Sequence, residues 1–155
     1  MKYVIGIDPG VSGAVAVVSL DKKEVHHYAF CKHTEHDLCD ILREWASKVS
    51  MCHIEKVHSM PKQGVSTTFA FGKNFGWYHG VLDALKIPYD LITPQRWQKS
   101  MGCRSGGDKN VTKRRAQQLF PQTLIIHAIA DALLIAENLR RKEVESTDNI
   151  ATLLG

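Results

Sequence analysis

An aspartate closing an apolar run constrains this chain more than any other feature. Tyr3-Val4-Ile5-Gly6-Ile7 leads into Asp8, Pro9-Gly10-Val11-Ser12-Gly13 follows, and a second apolar run, Ala14-Val15-Ala16-Val17-Val18, comes next. β-Branched runs punctuated by Pro and Gly read as strand, tight turn, strand. A carboxylate at the end of a central strand is costly if it is buried without a partner, by several kcal/mol. A metal ion or a proton partner would remove that cost. Alternatively, Asp8 accepts backbone N–H bonds in the turn that follows it. The local sequence leaves these readings open.

The remaining elements follow from patterning. Lys2 to Asp8, Gly13 to Leu20 and Glu24 to Phe30 read as three strands, joined by links too short for parallel crossovers and therefore antiparallel. Thr34, with Asp37 three residues on, reads as the N-cap of a helix reaching about Lys48, with Leu38, Ile41, Leu42 and Trp45 forming its apolar stripe. Met51 to Val57 reads as a fourth strand, parallel to the first, with Glu55 set in its apolar run. His58 to Thr67 is a polar loop, and a helix from about Thr68 to Lys86 follows. That helix carries Gly72, Gly76 and Gly80, each costing about 1 kcal/mol against alanine. The spacing implies tight packing on the sheet or on a partner subunit. Pro88 to Ile92 is a fifth strand. Thr93-Pro94 opens a helix to about Met101, Gly102 to Lys109 reads as a mobile connection, and Asn110 to Leu119 as a basic helix. A last helix runs from His127 to about Lys142, where Arg140, Arg141 and Lys142 suit the negative end of its dipole. The tail from Glu143 has no clear pattern.

The length suits one domain, covering 1–155. Net charge is +4, but it is unevenly spread. Thr93 to Ile125 holds seven Lys/Arg against Asp108 alone, +6, while the remainder is −2. Such asymmetry is expected of a phosphate-binding surface, or of a solvated basic helix. The four cysteines form no CxxC pair, which favours reduced thiols and a cytoplasmic location. Cys31, His33, His36 and Cys39 are of zinc-binding type, but their spacing straddles a helix start and fits a loop-to-helix surface better. No run approaches the roughly 20 apolar residues of a membrane span, and the chain enters a strand without a signal sequence.

Three acids, Asp8, Glu55 and Asp131, each interrupt an apolar element. If those elements meet, three carboxylates converge at one end of the sheet. Their mutual repulsion would raise their pKa values unless a cation intervenes. All-oxygen ligation suits Mg²⁺ or Mn²⁺. Two such ions, about 3.5–4 Å apart, would clamp the attacking and leaving oxygens of a phosphodiester. The residues alone therefore indicate a metal-dependent enzyme acting on a polyanion.

Ile5-Gly6-Ile7-Asp8-Pro9-Gly10, Ile54-Glu55-Lys56-Val57 and Ala130-Asp131-Ala132-Leu133 resemble the three acidic blocks of RuvC-type Holliday junction resolvases. Gly64–Gly76 and His127–Arg141 are similar to phage and bacterial RuvC-like variants in particular. The resemblance covers roughly residues 3–142. It implies an α/β, RNase H-like fold with a five-stranded mixed sheet, a homodimer, and two Mg²⁺ per active site, which Mn²⁺ can replace. It further implies symmetric nicking of four-way DNA junctions, in a bacterial cell or a phage-infected host. Asp8, Glu55 and Asp131 would be metal ligands. Many members of the family carry a further acid where this chain has Ala128. His127 is the substitute, as ligand or proton carrier, or else a surface histidine capping the helix. The family's aromatic three residues after the second acid is here His58. His58, Phe69 or Phe71 would stack on open bases, although Phe69 and Phe71 also suit a core. Lys109 and Lys113, flanking the start of the basic helix, are the preferred phosphate or transition-state contacts, followed by Arg104 and Arg114. Two other readings stand beside a junction nuclease. One is a nuclease of the same fold acting on RNA or RNA–DNA hybrids. The other is a junction-binding protein with little or no catalysis.

Overall fold

The computed structural model describes residues 2–56 and 64–154. Five strands form one sheet in the order β3-β2-β1-β4-β5, with β1 Tyr3–Asp8, β2 Ala14–Ser19, β3 Val25–Ala29, β4 Val49–Glu55 and β5 Tyr89–Ile92. β1, β2 and β3 pair antiparallel, while β4 is parallel to β1 and β5 to β4. The short links leave the first three strands no other option. The longer excursions through helices allow the parallel pairs.

Alternation along the strands divides the core between two faces. Ile5, Ile7, Val15, Val17, Cys52 and Ile54 point to one side, against α1 Glu35–Trp45 and α2 Val65–Ala84. Val4, Ala16 and Val18 point to the other, against α3 Pro94–Met101, α4 Lys109–Leu119 and α5 His127–Leu154. The result is a three-layer α/β/α arrangement.

Local signals set several boundaries. The Thr34 hydroxyl accepts the Asp37 N–H at 3.1 Å, and the Asp37 carboxylate accepts the Thr34 N–H at 2.8 Å, completing a capping box. Thr93 caps α3, with Pro94 at its first position. Gly102 ends α3 at φ 65°, a left-handed conformation that glycine takes without a Cβ penalty. The α5 layer approaches β1 closely because of Gly6. A Cβ there would lie 2.3 Å from both the Ala132 carbonyl oxygen and the Ala136 nitrogen.

Three features, two of α2 and one of α5, differ from their sequence-based expectation. α2 begins at Val65 rather than Thr68, and its N-cap, Gly64, offers no side-chain bond that would have marked the start. Gly72, Gly76 and Gly80 do not pack on the sheet: all three are exposed, and nothing lies within 4 Å of a Cβ built on any of them. α5 continues to Leu154, so Arg140, Arg141 and Lys142 lie in its interior rather than at its end. Arg140 and Arg141 instead donate to Glu137, whose side chain is 1% exposed, and Lys22 lies 3.7 Å from the same carboxylate. All four cysteines are free. Among the described residues no helix is long and apolar enough to cross a membrane.

Candidate active site

Register places two of the three acids side by side. Ile7 pairs with Ile54 across the parallel β1–β4 ladder, so Asp8 and Glu55 are the next residue on each strand. Both follow the face of Gly6 and His53, towards α5. The carboxyl ends of parallel strands are where open α/β sheets place ligands. The third acid comes from α5. Ala132 is pressed against Gly6, which sets Asp131, one residue earlier, over the end of β1.

The electrostatics report the same convergence. Burial pushes the Asp8 carboxyl up to about 6, assisted by the Asp131 charge and opposed by the Gly10 N–H and Lys109. Glu55 is pushed up to about 8, first by burial and then by Asp8, with Asp131 adding to it and Trp97 and Lys109 opposing. Burial also raises Asp131, while Thr112, Lys109 and His127 act in the opposite direction. Lys109 therefore acts on all three carboxylates. At neutral pH this set carries more negative charge than its surroundings accommodate.

The turn after β1 is built around Asp8. The Gly10 N–H donates to Asp8 Oδ1 at 3.0 Å, so the turn-acceptor reading of Asp8 holds alongside its proximity to the other acids. A Cβ on Gly13 would lie 2.1 Å from the Asp8 carbonyl oxygen, so the loop closes over the strand end only with glycine there. From α2, buried Asn74 donates through Nδ2 to the Pro9 carbonyl oxygen and, at 3.5 Å, to that of Gly10. One helical turn on, Tyr78 is fully buried. Burial and the Asp8 charge raise its hydroxyl well above the usual tyrosine range. Glu55 is held from the other side: the Trp97 indole N–H donates to its Oε2 at 2.7 Å.

The residues proposed from sequence separate into groups. Asp8, Glu55, Asp131 and Lys109 come together, and His127, the exposed first residue of α5, acts on Asp131. Lys113 and Arg114 line a shallow depression along α4 with Asp108, Asn110 and Gln117. Arg104 lines a separate cleft of about 690 Å³ between α3 and the glycine-containing loop. Phe69 is 75% exposed on α2 and is not a core residue. Phe71 is half-buried, its ring 3.5 Å from a Cβ built on Gly10. His58 lies outside the described residues. Sequence reasoning does not find Asn74 or Trp97. Their only signals are an isolated amide in an apolar helix and a tryptophan beside a cap.

The donor set suits a divalent cation. Asp131 Oδ1 is buried without a hydrogen-bond partner, and Asp8 and Glu55 are both destabilised as anions, so the chemistry fits an oxygen-ligated ion. Among the described residues, however, no three His, Cys, Asp or Glu side chains form a ready metal-holding group, and Cys31, His33, His36 and Cys39 are no exception.

No family model matches the chain, and no curated protein matches it in sequence. Solved structures do match. Thermus thermophilus RuvC in complex with a Holliday junction substrate aligns over 89% of this chain and 92% of its own, with a TM-score of 0.60 and 14% identity. A second T. thermophilus RuvC structure covers 88% and 92%, with a TM-score of 0.58 and 14% identity. At that identity the likeness is one of fold: a mixed five-stranded sheet flanked by helices, the RNase H-like fold of RuvC.

Proposed function

We propose that this protein is a metal-dependent endodeoxyribonuclease that resolves four-way DNA junctions by paired nicks, a single nuclease domain working as a homodimer. The observation that carries the reading is the meeting of Asp8, Glu55 and Asp131 at the end of β1 and β4, each carboxyl pushed above its ordinary range, with Lys109 facing all three. The fold likeness to RuvC supports it. So does the basic surface on α4 and the preceding loop.

Asp8, Glu55 and Asp131 would hold Mg²⁺ or Mn²⁺, with His127 as a further ligand or proton carrier. The bound ions would polarise the scissile phosphate and supply a water nucleophile at neutral pH. The Gly10 N–H orients Asp8, Asn74 holds the turn that carries Gly10, and Trp97 holds Glu55. Lys109 acts on all three carboxylates and would meet a phosphate oxygen drawn to the site. Lys113, Arg114 and Arg104 extend the positive surface along which the DNA backbone would run. His58 or exposed Phe69 would stack on opened bases at the branch point. The homodimer reading is supported by the exposed α2 face of Val65, Phe69, Gly72, Gly76 and Gly80.

The test is incubation of a labelled synthetic four-way junction with the purified protein, with and without Mg²⁺. Symmetric nicks that require Mg²⁺ and disappear in Asp8→Asn, with junction binding retained, are expected. Full-strength binding with no nicking in Mg²⁺ or Mn²⁺ would instead favour a binding protein. Two observations favour that second reading: Ala128 where many such enzymes have an acid, and no ready three-ligand group among the described residues. Preferred cutting of RNA–DNA hybrids would move the substrate class.

A further inference from the structure

A further charged cleft lies on the α5 side of the sheet and shares no lining residue with the α4 depression. It encloses about 320 Å³ and is lined by His53, Asp90, Leu91, Ile92, Arg96 and Lys142. Its floor is β4 and β5, where His53 pairs with Asp90 across the ladder. Arg96 enters from the first turns of α3 and Lys142 from α5. The two helices are tied together by Asn138 Nδ2, which donates to Ser100 Oγ at 2.7 Å. The cations are therefore carried on walls of fixed spacing. Both side chains are exposed, and among the described residues neither forms an ion pair.

His53 distinguishes this cleft from an ordinary basic surface. The residue is only 7% exposed, and its Nδ1 is buried without a hydrogen-bond partner. A buried lone pair without a partner is tolerated more readily than a buried N–H without one. The ring proton therefore belongs on Nε2, which faces no acceptor among the described residues. A histidine that is nine-tenths buried, lines a cleft, and has two cations as neighbours forms a donor set that outnumbers its one carboxylate, Asp90. Asp90 on the rim cannot serve both cations.

We propose that this cleft binds a phosphate-bearing anion, held by Arg96 and Lys142 from the two helices and by the His53 ring from the sheet. The guanidinium provides paired donors to two phosphate oxygens and the ammonium acts as a point charge. The anion has two sources: a backbone phosphate of a bound DNA arm, or a free phosphate. The first rests on the nuclease reading above, and the second does not.

Two measurements on the full chain separate them. The first is junction affinity, by fluorescence anisotropy, across a range of salt for the native protein, Arg96→Ala/Lys142→Ala and Asp90→Asn. The second is the His53 ring ¹⁵N–¹H signals during titration with inorganic phosphate. If the cleft holds a backbone phosphate, the double variant flattens the slope of log affinity against log salt by about 1–2, near 0.9 for each phosphate no longer neutralised. Asp90→Asn then tightens binding at low salt. If the His53 signals move saturably with inorganic phosphate while the junction slope is unchanged, the cleft takes free phosphate. If the slope is unchanged and His53 does not respond, the proposal is overturned. Absence of junction binding by the native protein would remove the nuclease reading alone, because the phosphate titration still decides the cleft.

Discussion

Replacing Glu55 by glutamine removes one charge from the carboxylate cluster and keeps the oxygen that accepts the Trp97 indole N–H. The effect on stability follows from the position of the group. Its folded-state value lies at about 8, against an ordinary 4.5. The folded protein therefore holds this proton more tightly than the unfolded chain does. The associated stability is complete below about pH 4.5 and is lost as pH rises through about 8. At about 1.4 kcal/mol per pH unit, the full loss is about 3–5 kcal/mol, with the lower end applying because the side chain is half-buried and partly screened. For a chain of this length 3 kcal/mol corresponds to about 6–12 °C in melting temperature. Thermal melts in EDTA between pH 5 and 9 should show the native protein losing stability relative to Glu55→Gln by that amount. Saturating Mg²⁺ at pH 8 should restore the native protein, by about 2.7 kcal/mol at a hundredfold excess over Kd, and leave the variant nearly unaffected. Parallel melting of the two proteins across this range, with equal responses to Mg²⁺, would refute the claim that Glu55 is a strained anion awaiting a cation.

Other substitutions address the supports of the site. Gly6→Ala forces a Cβ against the α5 backbone, where neither partner is a flexible side-chain end, so a loss of about 3 kcal/mol or failure to fold is expected in denaturant titration. Asn74→Ala leaves the Pro9 carbonyl oxygen without its donor and should cost about 1–3 kcal/mol. Its effect on the proposed nicking should exceed that of equally destabilising core variants, because the missing bond holds the turn whose Gly10 N–H binds Asp8. Glu137→Ala leaves Arg140 half-buried beside Arg141 and Lys22 without their shared carboxylate, a loss of about 3–5 kcal/mol by chemical denaturation. The Glu137 carboxyl is held below its ordinary range by hydrogen bonds from Arg140 and Arg141, against burial. Its contribution is therefore present above the usual glutamate range and lost as pH falls, opposite in sign to Glu55.

Much of this architecture is legible in the chain because its signals are local. β-Branched runs and short links define β1 to β3. Thr34 and Thr93 mark helix starts, and an acid inside an apolar run marks Asp8 and Glu55. What is not legible depends on contacts distant in sequence. Nothing near Glu55 indicates that Trp97 supplies its donor, and nothing near Gly6 indicates that α5 lies against it. The glycines of α2 have the spacing of a packed face, yet packing is a property of the neighbour as much as of the helix, and here the face is open. The continuation of α5 is hidden for a related reason. Its last turns are exposed, including Ile150 and Leu153, so no buried stripe imposes a period on the sequence. Arg140 and Arg141 resemble a helix end because their true partner, Glu137, is a charge that burial should have excluded. Three cations offset the cost of burying it.

The proposed activity requires three carboxylates to share a divalent cation. Mn²⁺ binding, followed by electron paramagnetic resonance of the free ion and calorimetry in parallel, tests this most directly. Saturable binding by the native protein, abolished in Asp8→Asn and in Asp131→Asn while both variants fold and melt in EDTA at or above the native temperature at neutral pH, is the predicted result. Mn²⁺ binding of the same affinity and stoichiometry in the Asp8→Asn/Glu55→Gln/Asp131→Asn triple variant would contradict it.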